Sequence, residues 1–600
     1  MFAAFFELGR MDVVTDNEGQ RATPPAEMVR SGRYLIPTIN GADYLVKPPL
    51  LYWIVAAVYR ATGAISEWTA RIPTATAAVL LSLCLYFFTR RETDEPVARW
   101  AALILVASPY LLERARWANL DIPLTLAVYL CAVSLRAAWQ AKTHSRRAVM
   151  TCASGLALGA GLMLKGPPAL LFLLSAWLSL RIVEGGAAGR ALGLGAKWAI
   201  PAVVLCLLQW GCELARLKYQ PDWLPQIRLP VGLLLLVASL CAIAWRTGDR
   251  STRFRDLAML GGVAAVGIAI ATPWALAALR HMGWAELRAL LDDQVFQRTY
   301  VASRINSGSP LFYAVALLGI IAPWGLLLPF CFSRSQWHAK PSLYRFSMVN
   351  GCLGVVLFSL IAGKEREYIL PAVPFLLIAV AYHLADLGRN ETEPWIAKWS
   401  KRWLSFFTIL LPVAVVGFAV YFTVAEPHPL ARTEVWAMVM AAGLLSLLLH
   451  KSLEDRVMRL FVLNLTAIML YLVAGRGYHY SIDPARSPRT LAAECQGLID
   501  AGYTVEAPPR VHSTQPFPYP ALSFYLARVV PMEENPARVA AKLHGPEPYY
   551  FLATEKYLRQ WSKALGPAEP RVLLGPFTGK KLVLVGNRPL PEPDRRGTAR

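Results

Sequence analysis

The sequence predicts an all-α polytopic membrane protein with a small α/β domain at its C-terminal end. Of the 600 residues, 55% are hydrophobic and only 17% are charged, whereas about 25% of residues are charged in a soluble globular protein. The 19 Trp and 23 Tyr fit this class, because amphipathic rings concentrate at the interface between membrane and water. The composition excludes a chain of ordinary soluble domains.

Apolar stretches of about 17–25 residues, the length that crosses a hydrocarbon core, recur along most of the chain. They predict roughly 13–14 transmembrane helices. The stretches lie near residues 70–90, 97–113, 121–139, 148–165, 167–184, 192–213, 229–246, 256–279, 309–332, 343–363, 368–386, 403–425, 434–450 and 457–475. The shorter segment KPPLLYWIVAAVYRATG is expected to lie along the interface.

Alternation of these spans places the loops rich in Lys and Arg on one side, which the positive-inside rule assigns to the cytoplasm. The net charge of +21 is then explained by these loops and by anionic ligands, and we expect no nucleic acid partner. The segments left outside are residues 1–69, the 113–120 loop, the 280–308 loop and the tail from residue 475.

Four regions follow from this map. Residues 1–69 form a first extracytoplasmic loop with interfacial helices, and residues 70–475 form the multi-span transmembrane domain. Residues 476–588 alternate helix and strand patterns, as an α/β domain does; SIDPARSPRTLAAECQGLIDAGYTV, for example, predicts a turn, a helix and a strand. Residues 589–600 are a disordered tail. Only MFAAFFELG precedes the exported loop, so we expect a truncated first transmembrane helix or a start upstream of Met1.

Two exported segments carry carboxylates beside the membrane, where charged side chains are costly and are usually kept for a function. Asp16 and Glu18 lie in the first segment, TDNEGQR, and Asp121 lies in the second, RARWANLDIP. Asp121 also has a structural interpretation, because a helix begins here with Pro123 in its first turn and Asp is a common N-cap.

Four exported cations stand at the outer ends of apolar segments, namely Lys47, Lys165, Arg298 and Lys364. Snorkelling toward lipid headgroups would explain any one of them. Their convergence on one face instead predicts a site for a phosphate at membrane depth, since ammonium and guanidinium groups bind phosphate.

A series of motifs resembles the family-39 type of the GT-C glycosyltransferase superfamily, which includes the lipid A aminoarabinose transferase and, more distantly, protein O-mannosyltransferases. The series runs in order from about residue 16 to residue 375. Its members are NEGQR with AEMVRSGRYLIPTINGADYLVKPPLLYW, ARWANLDIPL, LMLKGPPALL, TPWALAALR with QVFQR, APWGLLLP and FSLIAGKEREYILPAVP.

The resemblance implies a bacterial inner-membrane enzyme that moves a sugar from an undecaprenyl-phosphate-linked donor to a lipid A-like glycolipid or a protein. The active site and the C-terminal domain would face the periplasm. The resemblance makes Asp16, Glu18 and Asp121 the candidate catalytic residues, with either Asp16 or Glu18 as the general base. The candidate donor-phosphate residues are Lys47, Arg116, Lys165, Arg298, Lys364 and Tyr368.

The chain departs from the family pattern at several positions. Without gaps, Asn17 aligns with the family's Asp and Glu18 with its Glu, so Asp16 reaches the catalytic position only by a local shift. Val46 replaces a Glu that binds metal in some members, and His281 is the only His in its loop. A divalent metal therefore has no family-type ligands, and we predict that none is required. The alternative function is a non-catalytic polyprenyl-phosphate-binding protein or lipid-carrier flippase.

Overall fold

The computed structural model describes residues 2–184, 250–292, 311–333, 340–425, 487–508, 519–565, 571–577 and 581–591, apart from single positions. The predicted spans near 192–213, 229–246, 434–450 and 457–475 lie outside the described residues. Within the described residues the protein is mostly helical, with a small sheet near the C-terminus.

The first segment folds as three helices and one hairpin. α1 is Phe2–Phe5, α2 is Asp16–Ser31 and α3 is Leu50–Thr62. Thr15 caps α2, since its hydroxyl accepts a hydrogen bond from the backbone N–H of Glu18 at 3.2 Å. Strands β1 (Thr38–Ile39) and β2 (Ala42–Asp43) pair through a turn in which Asn40 and Gly41 both have positive φ, as two-residue hairpin turns require.

The membrane domain consists of apolar helices of unequal length. Their bounds are Glu67–Glu92 (α4), Glu95–Val106 (α5), Pro109–Ala115 (α6), Asp121–Trp139 (α7), His144–Lys165 (α8), Pro168–Val183 (α9), Arg250–Leu291 (α10), Phe312–Ile320 (α11), Ser342–Ser359 (α12), Val373–Arg389 (α13) and Pro394–Ala425 (α14). Two 3₁₀ helices, Trp324–Phe332 and Arg366–Ala372, interrupt the series.

Five of the described segments are long and apolar enough to cross a membrane: Glu67–Glu92, Asp121–Trp139, His144–Lys165, Arg253–Leu291 and Arg366–Arg389. This finding confirms the prediction of a multi-pass helical membrane protein.

Two of the predicted spans are broken in the structure. The stretch predicted as one helix near 97–113 is α5 and α6, separated at Ala107 and Ser108 because Pro109 starts a new helix. The stretch near 309–332 is α11 followed by the 3₁₀ helix Trp324–Phe332. The length of an apolar stretch indicates whether it can cross the membrane, but it does not indicate where the backbone bends.

The C-terminal residues form the predicted α/β domain. It has α15 (Arg489–Asp500), α16 (Pro520–Tyr525), α17 (Pro536–Leu543) and α18 (Glu555–Leu565), and strands β3 (Thr504–Glu506), β4 (Tyr549–Thr554), β5 (Arg571–Phe577) and β6 (Leu582–Gly586). The strand order is β3-β4-β6-β5, with β3 parallel to β4 and the other pairs antiparallel. The helix and strand read from SPRTLAAECQGLIDAGYTV are α15 and β3.

The C-terminal domain docks on the first segment of the chain. Asn40 and Val530 exchange two hydrogen bonds, of 2.9 and 2.8 Å. The Thr23 hydroxyl donates to the backbone oxygen of Pro520 at 2.6 Å, and Ala521 and Phe524 share a buried apolar cluster with α2 and α3. Residues almost 500 positions apart in sequence therefore form one packed unit.

Candidate active site

Asp121 and Lys165 meet because α7 and α8 are antiparallel neighbours joined by a short loop. The first residue of α7 and the last residue of α8 consequently lie at the same end of the bundle. Lys165 Nζ donates to Asp121 Oδ1 in a half-buried ion pair, and it lies 4.9 Å from the centroid of the Tyr368 ring. Three of the predicted site residues are thus brought together.

Asp121 is not the N-cap of α7. The amide oxygen of Asn119 accepts the backbone N–H groups of Asp121 at 3.0 Å and of Ile122 at 3.3 Å. Asn119 therefore satisfies the free donors of the first turn, and the Asp121 carboxylate is directed to Lys165. The structural interpretation of Asp121 is wrong, because a neighbouring amide performs the capping.

Arg21 joins this cluster, although the sequence did not single it out as a site residue. Its guanidinium donates to Tyr52 Oη at 3.1 Å and to the backbone oxygen of Gln20 at 3.3 Å. Burial acts to lower the pKa of Arg21, but Tyr52, Tyr44 and Asp121 outweigh it and hold that pKa above its ordinary value. Arg21 therefore stays cationic beside Asp121. Its position three residues after Glu18, on the same face of a helix, is the signal that could have found it.

Arg114 is a second cation that sequence reasoning did not assign to the site. Its guanidinium lies 3.4 Å from Glu367 and packs 5.1 Å from the centroid of the Tyr110 ring. The Asp121 carboxylate is one of the groups that interact electrostatically with the Arg114 guanidinium. The region around Asp121 therefore holds Lys165, Arg21 and Arg114, three cations from three different elements.

Glu18 is almost completely buried, and its carboxylate is fully engaged. Arg71 of α4 binds it through two hydrogen bonds, Nε to Oε1 at 2.7 Å and Nη2 to Oε2 at 3.0 Å. The backbone N–H of Ala118 also donates to Glu18 Oε1 at 3.1 Å. Glu18 thus connects α2 to the loop that leads into Asp121.

Asp16 lies half-buried in the first turn of α2. Burial raises the pKa of Tyr519 in the C-terminal domain, and the Asp16 carboxylate raises it further. Asp16 therefore lies near that domain. Asp16 and Glu18 accordingly occupy different surroundings, one beside Tyr519 and the other buried against Arg71.

The remaining predicted cations are more dispersed. Lys364 Nζ donates to the backbone oxygens of Phe358, Ser359 and Ile361, where α12 ends, so it caps a helix C-terminus. Arg116 donates to the backbone oxygen of Ala3 at 2.9 Å. Lys47 is half-buried just before α3, and Arg298 lies outside the described residues.

Metal ions in proteins are bound by groups of His, Cys, Asp and Glu side chains. Val46 stands beside Lys47, and His281 pairs with Asp43 at 2.7 Å on the exposed surface. Within the part of the chain that the structure describes, no three His, Cys, Asp or Glu side chains group as metal ligands. These residues do not fit a metal.

The fold and this site define a class: a multi-pass membrane protein with charged residues gathered at one end of its helix bundle. The family model for dolichyl-phosphate-mannose-protein mannosyltransferases matches residues 46–209. In fold, the chain is similar to ArnT from Cupriavidus metallidurans bound to undecaprenyl phosphate, with a TM-score of 0.68 and 19% identity. That match covers 98% of this chain and 96% of the other.

Sequence relatives agree with the fold. An undecaprenyl phosphate-alpha-4-amino-4-deoxy-L-arabinose arabinosyl transferase of Pseudomonas fluorescens is 27% identical over 68% of this chain and 62% of its own length. One of Shewanella sediminis is 22% identical over 77% of this chain and 73% of its own. The predicted resemblance is confirmed: in sequence and fold the chain is similar to GT-C glycosyltransferases of the aminoarabinose transferase type. The chain spans about three fifths of the length of several curated relatives that it matches.

Proposed function

We propose that this chain is a membrane glycosyltransferase that moves a sugar from a polyprenyl-phosphate-linked donor to a lipid A-like or protein acceptor. The observation that carries the proposal is the cluster of Lys165, Arg21 and Arg114 around Asp121 at one end of the bundle. When the sugar leaves its carrier, a phosphate anion develops, and fixed cations stabilise such charge.

Lys165 is the central residue for the donor phosphate. One of its three N–H donors is held by Asp121, and the ammonium group retains further donors for a ligand. Arg21 and Tyr368 would complete the phosphate site from α2 and from the 3₁₀ helix Arg366–Ala372. Lys47, Arg116, Arg298 and Lys364 remain candidates for the same task.

Asp16 is the best candidate for the general base. Its side chain is half-buried near Tyr519, whereas the side chain of Glu18 is only 2% exposed and is held by Arg71 and Ala118. A base must come within reach of the acceptor's proton, and the half-buried Asp16 is more accessible to an acceptor than the buried Glu18. Glu18 and Asp121 would then position the base and the phosphate site.

The site is proposed to face the periplasm from the bacterial inner membrane. The start of α7 carries Asp121, whereas the loop at its other end is the Lys- and Arg-rich QAKTHSRR. Loops rich in Lys and Arg remain cytoplasmic, so the end of the bundle that carries Asp121 would lie outside. Helix α2 and the C-terminal domain, which contacts α2, would lie on the same side.

The proposal is tested with purified protein in liposomes that contain an undecaprenyl-phosphate-linked aminosugar and a glycolipid acceptor. Loss of a general base lowers a rate by about 10²–10⁴-fold, so we expect Asp16→Asn to reduce transfer by that amount and Asp121→Asn to reduce it as well. Asp500→Asn, an exposed carboxylate on α15, is the matched control and should transfer at the wild-type rate.

Full transfer by both Asp16→Asn and Asp121→Asn would contradict the site assignment. A wild-type chain that moves the donor across the bilayer without cleaving it would instead be a flippase, and mass spectrometry of the donor distinguishes the two outcomes.

A further inference from the structure

A cavity of about 460 Å³ lies where α13 ends and α14 begins. α13 follows directly from the 3₁₀ helix that carries Tyr368. An α-helix rises 1.5 Å per residue, so the length of α13 separates this cavity from the Tyr368 end by about 25 Å. The cavity is therefore distinct from the candidate active site, at the opposite end of the bundle.

The polar lining of the cavity is formed by Asn390, Thr392, Lys398 and Arg402. Lys398 and Arg402 lie one turn apart on α14 and are both exposed, so their charges project from one face of the helix. Among the described residues that line the cavity, none is acidic.

The two acidic residues nearest in sequence have other contacts. The carboxylate of Glu391 lies 3.8 Å from Arg389, and that of Glu393 accepts a hydrogen bond from the indole of Trp395 at 2.6 Å. The charged side chains of the lining itself, Lys398 and Arg402, are both cationic, which favours an anionic ligand.

The surroundings of the cavity indicate the source of that ligand. Trp395 and Trp399, on the same first turns of α14, are 53% and 54% exposed, and the Arg402 guanidinium lies 5.3 Å from the centroid of the Trp399 ring. Exposed Trp beside basic residues is typical of the headgroup region of a bilayer. We propose that this cavity binds the phosphate of an anionic phospholipid headgroup.

The experiment is a lipid titration of the full chain in detergent, followed by native mass spectrometry. The probes are phosphatidylglycerol, phosphatidylcholine and inorganic phosphate. Wild type is expected to retain phosphatidylglycerol in preference to phosphatidylcholine. Lys398→Gln with Arg402→Gln should weaken retention by about tenfold or more, because two charge-assisted hydrogen bonds are lost.

The matched control is Lys142→Gln with Arg146→Gln, which removes two exposed cations outside the cavity, one in the loop before α8 and one in the first turn of α8. This control should retain phosphatidylglycerol like wild type. Equal loss in the two double variants would overturn the proposal, because it would show general surface attraction. Binding of inorganic phosphate that phosphatidylglycerol does not displace would overturn the lipid assignment. The single variants Lys398→Gln and Arg402→Gln, each of which keeps one charge, test the site even if the double variant folds poorly.

Discussion

At the scale of single residues, Glu18 and Arg71 form an ion pair whose side chains are only 2% and 4% exposed. Arg71 also donates to the backbone oxygens of Leu8 at 2.9 Å and Met11 at 2.7 Å. It therefore ties the segment before α2 to α4. A carboxylate with these contacts holds the loops in place, and its burial leaves an acceptor little access to it.

We predict that Glu18→Gln lowers the stability of the protein by about 3–5 kcal/mol, because it leaves Arg71 buried without its carboxylate. The melting temperature of the purified chain measures this. Adding Arg71→Met should recover part of the loss, since an apolar side chain needs no partner in that position.

The matched control is Glu7→Gln, which breaks a half-exposed pair with Arg10 and should cost less than about 1 kcal/mol. A Glu18→Gln variant that melts like wild type yet transfers no sugar would mean that Glu18 acts in catalysis and not in positioning.

At the scale of elements, helix α2 lies between the membrane domain and the C-terminal domain. Gly19 makes this possible, because a Cβ at this position would meet the backbone of Pro520 and Ala521 in α16. Around that contact, Arg30 Nη1 donates to the backbone oxygen of Leu526 at 2.8 Å. The close approach brings Tyr519 to Asp16, so the C-terminal domain contributes to the wall of the candidate site.

Replacement of Gly19 by Ala should displace α16 from α2. Hydrogen exchange of residues 519–527 is expected to rise, and sugar transfer to fall, because the added methyl group meets rigid backbone atoms. Gly497→Ala on α15 is the control, since a Cβ there meets nothing within 4 Å and Ala favours a helix over Gly. Wild-type exchange in Gly19→Ala would show that α16 does not depend on this contact.

At the scale of the whole molecule, the two ends of the bundle differ in chemistry. One end holds Asp121, Lys165 and the docked C-terminal domain. The other end holds structural ion pairs, such as Arg136, which is 0% exposed, with Glu92 and Glu184. These ion pairs join helix termini to one another at the second end. Because the cations are paired there, an end rich in Lys and Arg can still pack closely.

The proposed orientation predicts opposite labelling of two introduced cysteines in intact cells. Lys556→Cys, exposed on α18, should react with a maleimide that reaches the periplasm but does not cross the inner membrane. Lys142→Cys, exposed beside α8, should react only after that membrane is permeabilised. Cys495 of the C-terminal domain should add little signal, because burial raises the pKa of its thiol to about 12. Labelling of both positions before permeabilisation would contradict this orientation.

Much of the architecture was predictable from sequence because it depends on local patterns. Apolar length identified the membrane helices, and loop charge indicated their sidedness. The alternation of patterns in SPRTLAAECQGLIDAGYTV predicted α15 and β3. Asp121 and Lys165 were singled out because both stand at the ends of apolar helices where a charge is conspicuous, and the structure brings the two side chains together.

The roles within the site depend on contacts between distant segments, and a local pattern does not contain them. Glu18 differs from Asp16 in burial, because Arg71, 53 positions away, holds Glu18 inside the fold while Asp16 stays half-buried. Arg21 enters the site because Tyr52 and Asp121 approach it in space. Hydrophobic length and charge thus specify a helical membrane protein with one charged face, whereas burial and pairing across the fold decide the surroundings of each carboxylate.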